Sequence, residues 1–74
     1  MGHLHGADPY SGKIKVVAWM MGVSPSTIRR RMKDDPDFPK PFRLSAEGDL
    51  LWVLAEVRGY LERKAGRPLA DKAA

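Results

Sequence analysis

Ile14, Val17, Ala18 and Met21 recur at i, i+3, i+4 and i+7, a spacing that places four apolar side chains on one face of a short helix. Its start is weakly marked, since Ser11 and Gly12 are the only residues suited to cap it. Its end is clear. Gly22 can take a positive φ, Val23 can pack back over the turn, and Ser24-Pro25 fits a helix cap followed by a first helical residue. A second helix is predicted from Pro25 to about Lys33, with Ile28 and Met32 inward and Ser26, Thr27, Arg29, Arg30 and Lys33 on the opposite side.

Pro36, Pro39 and Pro41 then forbid regular helix. Phe42 and Leu44 alternate around Arg43, Ser45-Ala-Glu-Gly-Asp49 supplies turn chemistry, and Leu50-Leu-Trp52 is a second apolar run. Together they predict a small hairpin, or wing. Leu54, Val57 and Leu61 mark an amphipathic helix from about Val53 to Ala65, stopped by Gly66 and Pro68. Gly59 inside it costs roughly 1 kcal/mol relative to Ala, which points to a close helix approach. Phe38, Phe42, Trp52 and Tyr60 are assigned to the core, because a small domain without disulfides needs their area. The expected fold is α+β and mostly α: a small winged helix-turn-helix with a two-stranded wing and a C-terminal helix.

Length and charge sharpen this outline. Seventy-four residues (8.3 kDa) support one small core. We expect residues 13–65 to form the domain, with 1–12 a flexible lead-in that does not read as a secretory signal and 66–74 a flexible tail. Without cysteine there is neither a disulfide nor a thiol nucleophile. The longest apolar run, Val16 to Met21, is far short of a membrane span. His3 and His5 are the only histidines and make a poor metal site, so no metal or other cofactor is expected.

The net charge of +4 conceals an asymmetry. Lys13, Lys15, Arg29, Arg30, Arg31 and Lys33 form a block with no acidic residue, while acids gather at Asp34, Asp35, Asp37, Glu47, Asp49, Glu56 and Glu62. A basic, hydroxyl-bearing helix after a tight turn matches the dimensions and chemistry of the DNA major groove. The bland alternative is a solvated charged face. No nucleophile with an adjacent base and no phosphate-cradling glycine loop is present, so neither an enzyme nor a small-molecule substrate is expected.

The run Val17-Ala-Trp-Met-Met-Gly-Val-Ser-Pro-Ser-Thr-Ile-Arg-Arg30, then Phe38-Pro-Lys-Pro-Phe-Arg-Leu44, then Trp52 with Glu56-Val57 and Tyr60, resembles the AlpA and phage excisionase (Xis) group of small MerR-like winged-helix DNA-binding proteins. The resemblance covers about residues 14–64. It implies that the second helix enters the major groove of double-stranded DNA, with Ser24, Ser26, Thr27, Arg29 and Arg30 at the DNA and Lys33 on phosphates. It also implies one of two roles. One is an excisionase working with a tyrosine or serine integrase on repeated sites; the other is a prophage transcriptional regulator. Either belongs in the bacterial cytoplasm, at the nucleoid.

The chain departs from the group at Pro25, where Arg is frequent, and at the acidic wing tip. Either the wing meets DNA through Arg43 and the backbone, or it meets something else. Val16, Trp19 and Met20 lie off the core stripe of the first helix. They form a protomer interface, or Trp19 packs beneath the wing or the last helix. In the first case Glu47 and Asp49 of one subunit can face the basic helix of the next, a head-to-tail contact. A protein-interaction module is the alternative outside DNA binding.

Overall fold

The structure, a computed structural model, describes residues 9–69. It is an α+β fold of three helices and one small antiparallel sheet, ordered β1 (Ser11–Gly12), α1 (Ile14–Met21), α2 (Pro25–Asp34), β2 (Trp52–Val53) and α3 (Leu54–Ala65). The helix bounds follow the apolar periodicity. Val17 and Ala18 of α1, Ile28 of α2, and Val57 and Tyr60 of α3 are buried around Trp52 and Phe38. No described helix is long and apolar enough to cross a membrane.

The sheet differs from expectation. Its second strand, β2, starts at Trp52, the end of the second hairpin arm, but its partner is β1 rather than the first arm, with Ser11 opposite Val53 and Gly12 opposite Trp52. Leu54 N–H donates to Tyr10 O at 2.8 Å and extends the pairing. Residues 10–12, read as lead-in, are thus part of the fold. The rest of that segment, with His3 and His5, lies outside the described residues.

The hairpin itself is reduced to one bridge, in which Phe42 and Leu51 exchange backbone hydrogen bonds of 2.8 Å. Beyond it the loop satisfies itself, Gly48 N–H donating to Ser45 O at 3.0 Å and Arg43 Nε to Gly48 O at 2.9 Å. Phe42 sits at this sheet edge and stays exposed, because Trp52 already fills the centre of the core.

Gly59 is also not where two elements meet. A Cβ there would touch only Arg63 Nη1, at 3.6 Å. The close approach is at Gly12, where a Cβ would fall 2.9 Å from Val16 Cβ and 3.3 Å from Leu54 Cδ2. Past α3, Gly66 takes φ 74°. Leu69 N–H then donates to Glu62 Oε2 at 3.0 Å, so the first tail residues fold back on the helix. Residues 70–74 of the expected tail lie outside the described residues.

The proline-rich stretch is tied down twice. The buried Trp52 indole N–H donates to Pro39 O at 3.1 Å. At the exit of α2, Tyr60 hydroxyl donates to Asp35 Oδ2 at 2.6 Å, Asp37 N–H donates to Asp35 Oδ1 at 2.9 Å, and Lys64 Nζ lies 3.5 Å from Oδ2. The Tyr60 ring meets Phe38 edge-on at 5.1 Å. Tyr60 first, then the Asp37 amide, hold the Asp35 carboxyl below the usual carboxylate range.

A carboxylate depressed in the folded state contributes stability above its unfolded pKa and loses it as pH falls through the folded one. The thermal midpoint should therefore drop on acidification below about pH 4. Asp35→Asn should flatten that drop; an acid response identical to the parent's would contradict the assignment. Urea unfolding should also separate the two glycines. Gly12→Ala should destabilise by about 1–3 kcal/mol through overpacking, whereas Gly59→Ala should stabilise by about 0.5–1 kcal/mol.

Candidate nucleic-acid interface

The turn between α1 and α2 is built from its sequence. Gly22 takes φ 72°, its N–H donates to Trp19 O at 3.2 Å, and Val23 N–H donates to Ala18 O at 3.0 Å. This pairing closes the last turn of α1 and reverses the chain. Ser24 then caps α2: its Oγ accepts from Thr27 N–H at 3.2 Å and lies 3.1 Å from Thr27 Oγ1. Pro25 occupies the first turn, where its missing N–H costs nothing. Ser24 and Thr27, assigned to DNA from the sequence, are thus engaged with each other.

Ile28 fixes the rotation of α2. It is fully buried, with Met32 one turn on and partly buried. Ser26, Arg29, Arg30 and Lys33 therefore share the opposite face at i, i+3, i+4 and i+7, and all four are exposed. Among the described residues none of these three cations forms an ion pair, and the first carboxylate in the helix is Asp34 at its end. The Tyr60 hydroxyl pKa is raised mainly by burial and then by Asp35, with Arg31 opposing the rise.

Arg43 is bound to Gly48 O within the loop. Asp49, proposed to face a neighbouring subunit, instead pairs with Lys13 of the same chain at 2.8 Å. The hydrogen bond to Lys13 and its charge lower the Asp49 carboxyl, with Arg43 adding to the effect, and Asp49 in turn raises Lys13. Glu47 is exposed on the loop.

On α1, Trp19 is 81% exposed and Val16 37%. Trp19 therefore does not pack beneath the loop or the last helix. Met20, beside them, is partly buried against the core.

Lys13 and Lys15 acquire a place that the sequence pattern did not assign them. They line one side of an open groove of about 940 Å³, with Arg29 and Lys33 of α2 also on its wall and Ile14, Met32 and Leu50 among its apolar lining. The groove requires Asp49–Trp52 to return beside α1, and local periodicity carries no signal of that long-range contact. No cluster of three metal-binding side chains occurs among the described residues.

The class thus defined is a small α+β domain that presents a capped, basic helix. Comparison of the chain with family models, curated proteins and solved structures gave no significant match.

The capping assignment is directly testable. Ser24→Ala should lower unfolding free energy by about 1 kcal/mol, while Ser26→Ala, two residues on and exposed, should change it by less than about 0.5 kcal/mol. Equal losses in chemical denaturation would contradict it.

Proposed function

We propose that the protein is a winged helix-turn-helix that binds double-stranded DNA, with α2 in the major groove and loop 43–50 as the wing. The observation that carries this reading is the exposed Ser26–Arg29–Arg30–Lys33 face on a helix locked to the core by Ile28. Arginine can bridge the O6 and N7 acceptors of guanine, Ser can bond base or phosphate, and Lys neutralises phosphates. Ser24 and Thr27 contribute through the cap, which fixes the helix start at the DNA. Arg43 acts by holding the wing closed on Gly48.

The specific role we propose is excision: bending DNA at repeated sites beside a phage or prophage attachment site, with an integrase as partner, in the host cytoplasm. The exposed Trp19 and Val16 favour this architectural role, since an exposed apolar pair beside a DNA-binding element suits contact with a second copy or the integrase. With Asp49 paired internally, Glu47 is the wing carboxylate left to meet a neighbour's basic helix. The same apolar pair favours, as the second reading, a module that binds protein alone.

Arg29→Ala or Arg30→Ala should weaken DNA binding by about 1–3 kcal/mol. Log K should fall with log salt by roughly 0.9 for each phosphate contacted. Unchanged affinity in both variants would remove α2 from the interface, and a flat salt response would favour the protein-binding module. Attachment-site DNA should bind more tightly than promoter or random DNA; preference for promoter DNA would favour a transcriptional regulator.

A further inference from the structure

We infer that the groove between α1, α2 and the wing receives the sugar–phosphate backbone of one DNA strand, with Lys15 and Lys13 as phosphate contacts and Asp49 as an internal competitor for Lys13. This rests on the DNA-binding reading and extends the interface beyond α2. The groove is amphipathic. Lys13, Lys15, Arg29 and Lys33 stand against a single carboxylate, Asp49, around apolar surface from Ile14, Met32 and Leu50. A nucleic-acid strand has the matching character, anionic phosphates alternating with the apolar edges of deoxyribose. The groove is also continuous with the α2 face, because Arg29 and Lys33 belong to both.

Asp49 gives the groove a gate. Its carboxylate lies 2.8 Å from Lys13 Nζ, and both side chains are about two-thirds exposed, at 68% and 65%. An exposed pair of this kind is weak. A polyanion carrying several phosphates can therefore displace Asp49 and take Lys13. The carboxylate then stands beside the strand unpaired and repels it. In the free protein the pair lowers the positive field of the groove. Asp49 thus weakens binding to any DNA regardless of sequence, leaving base contacts from α2 to decide which site is occupied.

The test is a salt titration of DNA affinity with five variants of the full chain, on a specific duplex and a random one. Arg30→Ala is the control for the α2 reading. Lys15→Ala should weaken binding uniformly on both duplexes and reduce the log–log salt slope by about 0.9, the loss of one phosphate contact. Asp49→Asn should bind several-fold more tightly and steepen the slope by about 0.9, because Lys13 then neutralises a phosphate with no carboxylate beside it to offset its charge. In a Lys13→Ala background that steepening should vanish. A misfolded variant cannot mimic a gain in affinity. If Arg30→Ala weakens binding while Lys15→Ala and Asp49→Asn leave affinity and slope unchanged, the groove does not hold DNA and an acidic peptide becomes its better occupant. If the parent shows no salt-dependent DNA binding, the reading of α2 fails with it.

Discussion

Trp52 is the residue on which the arrangement of the other segments depends. Its side chain is fully buried, its backbone pairs with Gly12, and its indole N–H reaches Pro39 O. A buried indole N–H without an acceptor is costly, so the proline-rich segment must run where Pro39 can supply one. Three parts of the chain that local sequence leaves independent are thereby fixed to one side chain. Truncating such a residue costs about 3–5 kcal/mol, a large share of the roughly 5–15 kcal/mol that holds a domain together.

That placement makes α2 a rigid element. Its start is closed by Ser24 and Thr27, its inner face by Ile28, and its exit by Asp35 against Tyr60 and Lys64. A short helix is not stable by propensity alone, and these three constraints replace length. Pinned at both ends, the helix presents Arg29, Arg30 and Lys33 without the ordering cost that a mobile basic segment would incur on binding. Arg29, Arg30 and Lys33 form no ion pair among the described residues, which leaves them available to the DNA we propose as partner. Lys13 differs, being held by Asp49, and that difference divides the basic block into a committed part and a gated part.

The helices were legible in the sequence because their signals are local. Gly22, Ser24-Pro25 and the i, i+3, i+4 spacing of Ile14, Val17 and Ala18 each act within a turn or two, and the observed bounds follow them. The sheet was not legible. Ser11–Gly12 is too short to show alternation, and its partner Trp52–Val53 lies some forty residues away. Gly59 was conspicuous because it interrupts a helix, whereas the glycine that packing requires is Gly12, hidden among flexible-looking residues. For the site, rotation of α2 could be read from Ile28 and Met32. The engagement of Asp49 with Lys13, the retention of Arg43 within its loop and the groove itself depend on tertiary contacts that no window of sequence contains.

The central claim is that the outward face of α2 is the surface offered to DNA. Amide chemical-shift mapping during titration with duplex DNA tests it most directly, since every region of this small chain reports at once. The account predicts that the largest, salt-sensitive shifts fall on residues 24–33 of α2 and its cap, with Lys13–Val16 following and the Gly59 side of α3 unmoved. Shifts confined to the Trp19 side of α1, with α2 unperturbed, would contradict it.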